Sequence, residues 1–350
     1  MRSSGVTDVP DSSELKAITT AIRREVPPQP GVYLFYNTSG LPIYIGKSVN
    51  LRHRMLSYFD SSNTRLEYRM RRMVHSIDRF DFRQTETELL ALLLEDALIK
   101  RERPILNVRQ QEFMGYCYIW LTNDPFPACR VANVPGEAGG RIFGPFHNSY
   151  TASDIITFIN RHFRLRPCFG PRPTRRCLEL DLGTCSGPCT SRVSVDEYSG
   201  LASLAVAFLE GDETWLGRRI RGEIAKCIAD GRSEKAAGLE ADLSFCSRFC
   251  ARQRFTQKFK TGRLSVRERG AEDWTYLFSN GRLVDVRQHV HGGSESIPVP
   301  EVLLDCQTDD ICLADRANVV YDWLNRNPDT CGPVRHWQDE PGSTPSVTKK

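Results

Sequence analysis

Gly31-Val32-Tyr33-Leu34-Phe35-Tyr36, Asn37-Thr38-Ser39-Gly40 and Pro42-Ile43-Tyr44-Ile45-Gly46 follow one another early in the chain, and the fold turns on how they are read. The first run is aromatic and β-branched, the second is turn chemistry, and the third returns with the same character as the first. That is a β-hairpin. Ser48 is placed to cap a helix over 49–59. Further on, 65–77 has helical spacing, Phe80-Asp81-Phe82-Arg83 alternates like a short strand, and 86–101 is a leucine-dense helix ended by Pro104. Upstream, 15–24 reads as a helix after a polar arm. The hairpin and its flanks therefore make a small mixed α/β domain ending near residue 110.

Composition bounds what the rest can be. The 350 residues are 40% apolar and 26% charged, which excludes a disordered polyampholyte. Apolar runs such as Leu89 to Leu94 are far short of the roughly 20 residues of a membrane span. The first sixteen residues carry no apolar block, so no secretory signal is expected. A net charge of +4 permits a polyanionic partner without arguing for one. Twelve cysteines without an export signal point to a reducing compartment, where clustered thiols mean metal more often than disulfide.

Beyond residue 110, 116–121 and 141–146 alternate as strands and 153–162 reads as a helix. An arginine- and cysteine-rich loop fills 161–189, and 195–250 is mostly helical, broken at Gly211 and near Gly231. Asn280-Gly281 between two apolar runs is a type I′ hairpin signal. The expected class is α+β. Its divisions are an arm (1–25), the α/β domain (26–110), a β-containing region with four cysteines (111–190), a helical region (191–256), a C-terminal α/β segment (257–337) and a disordered tail (338–350).

Gly31-Val32-Tyr33 and Tyr44-Ile45-Gly46, with Arg54 ten residues after Tyr44, Glu95 in the leucine-rich helix and Asn107 twelve residues later, resemble the signature of GIY-YIG nucleases. The set suits phosphodiester cleavage, which needs an activated water, a neutralised phosphate and a stabilised leaving oxygen. The resemblance implies one Mg²⁺ or Mn²⁺ held by Glu95, a phosphate held by the planar fork of Arg54, and a tyrosine base at Tyr44 with Tyr33 and Tyr58 lining the pocket. Free tyrosine titrates near ~10, so a base role asks for a nearby cation, which Lys47 can supply. Plainer roles stand beside these. The tyrosines can pack the hairpin, Arg54 can be a surface residue, and Asn107 can turn the chain. Periodicity does not separate Glu95 from Asp96. Gly46-Lys47-Ser48 is no P-loop, because Leu41 stands where that motif needs glycine.

The run Thr87-Glu88-Leu89-Leu90-Ala91-Leu92-Leu93-Leu94-Glu95, then Leu98-Ile99-Lys100, Pro104 and Asn107-Val108-Arg109, is similar to the N-terminal nuclease domain of the UvrC family. Arg141-Ile142-Phe143-Gly144-Pro145-Phe146 continues the resemblance, with Phe146 where the family has tyrosine. It extends over about residues 26–290, and the chain looks like the short, Cho-type members with one nuclease centre. What this implies is a bacterial, cytoplasmic, nucleoid-associated monomer of nucleotide excision repair. It would cut damaged double-stranded DNA on the 3′ side of a lesion, on a complex with UvrB loaded by UvrA. A catalytically inactive UvrB- or DNA-binding paralogue, or a nuclease of branched DNA, are the alternatives.

Cys168, Cys177, Cys185 and Cys189 lack the close C-x-x-C of usual zinc sites, and a cluster bound by four thiolates tolerates their irregular spacing. The family resemblance implies [4Fe–4S], with Zn²⁺ as the alternative. Arg161, Arg164, Arg166, Arg172, Arg175 and Arg176 run without an acidic residue among them, and Arg65, Arg69 and Arg72 form a second stripe. Both are candidate phosphate tracks. Glu234-Lys235-Ala236-Ala237 and Leu239 resemble the UVR motif that meets UvrB, but Ser233 stands in place of its phenylalanine and Glu240-Ala241 in place of Arg-Asp. A different docking surface is therefore expected.

Overall fold

The computed structural model describes residues 12–60, 70, 73–107, 115–133, 139–168, 177–270, 272–290, 293–305, 309–329, 331 and 335–336. They divide into two compact units: 1–113 with 263–308 and 322–350, and 114–262 with 309–321.

In the first unit, β1 (Gly31–Tyr36) pairs antiparallel with both β2 (Pro42–Ser48) and β3 (Arg79–Gln84), in the order β2-β1-β3. The two motif glycines have steric reasons. A Cβ on Gly31 would lie 2.3 Å from the carbonyl oxygen of Arg83 on β3. One on Gly46 would lie 2.4 Å from the Tyr33 hydroxyl, its cross-strand partner. Helices α1 (Ser12–Glu25) and α2 (Leu51–Ser57) bury Ile18, Ile22, Leu51 and Met55 in one core with Tyr33 and Phe35. α2 is capped by Asn50, which accepts from the His53 N–H at 2.9 Å, and not by Ser48. Pairing with Gly31 keeps Ser48 in β2, and its hydroxyl instead accepts from the Asn50 N–H.

Helix α3 (Glu88–Glu102) packs on β1 and β2. Thr87 caps it through the Leu90 N–H, and Arg103 closes it in the left-handed region at φ 49°. Its leucines are buried nearly all round, as its density of apolar residues demands. The chain returns to this unit with a five-stranded antiparallel sheet, β10-β9-β8-β7-β11, built from β7 (Arg263–Glu268), β8 (Asp273–Ser279), β9 (Arg282–Val290), β10 (Gly293–Ile297) and β11 (Arg335–His336). Asn280 and Gly281, at φ 49° and 74°, form the positive-φ turn between β8 and β9 that the sequence announces.

The second unit carries the sheet β5-β4-β6, from β4 (Cys117–Leu121), β5 (Cys129–Ala132) and β6 (Arg141–Phe146). β5 has no separate signal in the sequence reading, being only four residues long. α4 (Ser149–Phe163) starts four residues earlier than expected because Asn148 caps it. A short turn of helix, α5 (Leu178–Asp181), precedes α6 (Val195–Leu209), whose Ser194 and Glu197 form a capping box. α7 (Thr214–Ala229) and α8 (Ser233–Thr261) form a helical pair joined at Gly231. In the UVR-like stretch Ala236 and Leu239 are buried, while Ser233, Glu234 and Lys235 are exposed. Two further helices follow: the short α9 (Glu301–Leu304) against α3 in the first unit, and the long α10 (Asp310–Arg326). No described helix is long and apolar enough to cross a membrane. The expected tail falls outside the described residues.

Candidate active site

The site is built along the outer edge of β2. An edge strand leaves a row of backbone groups that must find partners. Here they are met by side chains and a loop from the far end of α3. The Leu106 N–H donates to the Ile43 carbonyl at 2.9 Å. Asn107 clasps the next residue from both sides: its Oδ1 accepts from the Ile45 N–H at 2.8 Å and its Nδ2 donates to the Ile45 carbonyl at 2.7 Å. The Lys47 N–H then donates to Glu95 Oε1 at 3.0 Å. Asn107 is buried and both ends of its amide are committed, so it fixes the strand and does not point a free group at a substrate.

Glu95 keeps its second carboxylate oxygen without a protein partner among the described residues. Burial pushes this carboxyl up to about 7, against the pull of the Lys47 N–H and ammonium. Its neighbour Asp96 is spoken for: it is buried and paired with Lys100 at 2.8 Å, one helical turn on. That distinction, which periodicity does not make, falls to Glu95.

Three phenols face this edge. The rings of Tyr33, Tyr44 and Tyr58 have centroids 5.9–6.1 Å apart in every pairing. Tyr33 is fully buried and shares a 2.7 Å hydrogen bond between hydroxyls with Tyr58. Tyr44 is half-buried. Arg54, exposed on α2, lies over the Tyr58 ring with its Cζ 5.0 Å from the centroid, and it makes no ion pair among the described residues. Burial raises the pKa of both Tyr33 and Tyr44, the neighbouring phenols add to it, and Arg54 opposes. Tyr44 also senses the charge of Glu95.

The expectation that Lys47 lowers a tyrosine pKa is corrected. Its ammonium turns to Glu88 Oε1 at 2.5 Å, and the cation that acts on the phenols is Arg54. Lys47 bridges two carboxylates, Glu95 through its backbone and Glu88 through its side chain. Glu88 escaped the sequence reading. Its position seven residues before Glu95, two turns along the same helical face, is the signal that marks it.

In the second unit the three described candidate arginines each make structural bonds. Arg161 is paired with Asp242 at 2.5 Å, and Arg164 donates to the Gly183 carbonyl. Arg166 donates to the Phe126 and Cys168 carbonyls and to both oxygens of Asp124. Arg166 is thus fully engaged in structure, whereas Arg161 and Arg164 each carry a structural bond and remain exposed. Arg65, Arg69, Arg72, Arg172, Arg175 and Arg176 lie outside the described residues. Burial raises the pKa of Cys185, a Gly187 N–H opposes, and Cys168, Cys177 and Cys189 each raise it further, so the four thiols are neighbours. Among the described residues no three or more His, Cys, Asp or Glu side chains close around a common metal position.

A hairpin with glycines at 31 and 46, phenols packed across it and a helix-borne glutamate at its edge defines a GIY-YIG domain. Residues 29–108 match the family described as the UvrC-like GIY-YIG domain, and 116–208 match the middle domain of the UvrC/Cho excinuclease. The chain belongs to the UvrC-like family. It is 36% identical to the UvrABC system protein C of Syntrophomonas wolfei over 222 residues, covering 63% of this chain and 37% of that protein. With the namesake of Dictyoglomus thermophilum it shares 29% over 270 residues, covering 75% of this chain and 44% of the other. The chain thus spans less than half the length of these curated relatives. Among solved structures it resembles the GIY-YIG N-terminal endonuclease domain of UvrC from Thermotoga maritima bound to magnesium. That match is 35% identical and covers 26% of this chain and 97% of that domain, with a TM-score of 0.24.

Proposed function

We propose that this chain is a metal-dependent DNA endonuclease of nucleotide excision repair, of the short Cho type. It makes one incision in damaged duplex DNA, 3′ to the lesion, on a complex with UvrB. The observation that carries the reading is the convergence of Glu95, Tyr44 and Arg54 at one strand edge, each with bonding capacity left over. A hard divalent ion, Mg²⁺ or Mn²⁺, fits the free carboxylate oxygen of Glu95. When bound there, it supplies Lewis acidity to the phosphate and its leaving oxygen.

The protein's own groups do the rest. Arg54, exposed and without a carboxylate partner among the described residues, takes the non-bridging oxygens in its fork. Tyr44, the half-buried phenol that feels Glu95, takes the proton of the attacking water as a phenolate, after its own phenolic proton has left to solvent; burial opposes that phenolate and Arg54 favours it. Tyr33 and Tyr58 hold each other and wall the pocket against bulk water. Asn107 sets the register of β2, and with it the position of Tyr44. In the same reading Cys168, Cys177, Cys185 and Cys189 would supply the thiolates of a [4Fe–4S] cluster that knots a loop poor in apolar residues, with Zn²⁺ as the alternative. Among the described residues, however, no three of them close around a common metal position.

An end-labelled duplex with one lesion, given UvrA, UvrB, ATP and this protein, is the test. A single nick 3′ of the lesion that needs Mg²⁺ or Mn²⁺ is expected. A second nick 5′ of the lesion, or cutting without UvrB, rejects the Cho-type assignment. No cutting with either metal rejects the nuclease.

A further inference from the structure

The pocket's helix is anchored by a residue nearly two hundred positions away. Tyr276 stands in the middle of β8, paired with Val266 on one side and Val286 on the other, and it is fully buried. Its hydroxyl lies 2.5 Å from Thr87 Oγ1 and 2.6 Å from Glu268 Oε2. Thr87 is the residue that caps α3, accepting from the Leu90 N–H at 3.2 Å. One phenolic hydrogen cannot serve both neighbours. The carboxylate is the stronger acceptor, so Tyr276 donates to Glu268 and the Thr87 hydroxyl donates to Tyr276. The chain of bonds is then fully used: the amide of Leu90 to Thr87, Thr87 to Tyr276, and Tyr276 to the half-buried carboxylate of Glu268.

We propose that Tyr276 is a positioning residue for the active-site carboxylate, and that the five-stranded sheet is a working part of the nuclease centre. The proposal rests on the nuclease reading above. Its physical basis is leverage along α3. Thr87 is held by the sheet; Glu88, the next residue, holds the Lys47 ammonium; and Glu95, two turns on, holds the Lys47 N–H. Three bonds thus fix where α3 sits along β2, and one of them comes from β8. Glu95 must keep its free oxygen aimed at the phenols and Arg54, and a displacement of about 1 Å at such a centre can cost about 10²-fold in rate. A helix start freed from Tyr276 retains its local cap, so the expected loss is one of register and not of folding.

The experiment uses the full chain and Mn²⁺ as the probe, with affinity read by electron paramagnetic resonance and the first turn of α3 followed by exchange of the Leu90 amide. Tyr276→Phe and Thr87→Val should each weaken Mn²⁺ binding about 5- to 30-fold and speed exchange at Leu90. The double variant should be no worse than Thr87→Val, which already loses both the Tyr276 bond and the cap on the Leu90 N–H. Thr87→Ser, which keeps the hydroxyl, should bind as the parent does. Leu277→Ala, in the same strand, serves as the control for sheet stability and should leave Mn²⁺ affinity within twofold. Tyr276→Phe binding Mn²⁺ like the parent, or Leu277→Ala weakening it equally, overturns the proposal while the nuclease stands. Parent binding that Glu95→Gln leaves unchanged removes the metal from this pocket and overturns both.

Discussion

Arg54 and Arg166 are both cations in regions rich in polar groups, and they differ in what is left over. Arg54 lies against a phenol with no carboxylate partner among the described residues. Arg166 donates to two carbonyls and a bidentate carboxylate, which uses up its fork. The same contrast separates Glu95, with one oxygen open, from Asp96, locked to Lys100. A run of arginines in a sequence advertises charge, but binding needs charge that the fold has not already used. The pocket of 29–108 keeps such groups, whereas Arg166 is no longer one of them.

The sharpest way to break this comparison is to remove both guanidiniums in turn. Arg54→Ala should lower single-turnover cutting about 10²–10³-fold, with stability changed by no more than about 0.5 kcal/mol. Arg166→Ala should do the reverse. It leaves the Phe126 carbonyl and Asp124 without their donor and should cost about 2 kcal/mol in urea unfolding. The slope of DNA affinity against salt should stay unchanged. A slope reduced by about one charge in Arg166→Ala, with stability intact, would turn the loop into a phosphate track and reverse the contrast.

How much of this could be read from the sequence follows the same division. The hairpin was legible because Gly31, Tyr33, Tyr44 and Gly46 obey strand alternation, and a side chain at Gly46 would strike Tyr33. Tyr33, Tyr44, Arg54 and Tyr58 meet in one cluster, the arrangement that the family resemblance implies. Asp96 could have been set aside by its i,i+4 lysine, a spacing that pairs charges on any helix. Direction was not legible: nothing in a single sequence tells that the Lys47 ammonium turns to Glu88. Nor does local periodicity reach from Thr87 to Tyr276, a contact set by the return of a whole sheet.

Asn107 sharpens the comparison from within the pocket, as a residue of the signature whose valences are all spent. Asn107→Ala strips the Ile45 N–H and carbonyl of their partners at a buried edge. The expected cost is about 2–3 kcal/mol of stability. Cutting should fall with it, because Tyr44 rides on the same strand. Cutting by this variant should recover in part at lower temperature or in a stabilising osmolyte, whereas that of Arg54→Ala should not. Equal failure of the two under every condition would mean that Asn107 also touches the substrate.

The smallest effect concerns the cost of keeping Glu95 open. Burial pushes its carboxyl up to about 7, above the ordinary value near 4.5. A raised carboxylate means that the native state binds the proton more tightly than the unfolded chain does. Metal-free protein should therefore lose stability as pH rises from about 4.5 through 7, and then level off. Glu95→Gln keeps an oxygen for the Lys47 N–H and removes the titration. Since Glu95 is only half-buried, the full shift overstates the gain, and about 1–2 kcal/mol above pH 7 is expected, shrinking to nothing below pH 4.5. Urea unfolding of parent and variant in EDTA at pH 5 and pH 8 measures it. A variant that is no more stable than the parent at pH 8 would mean that the open carboxylate carries no strain, and that its exposure alone, without burial, sets its chemistry.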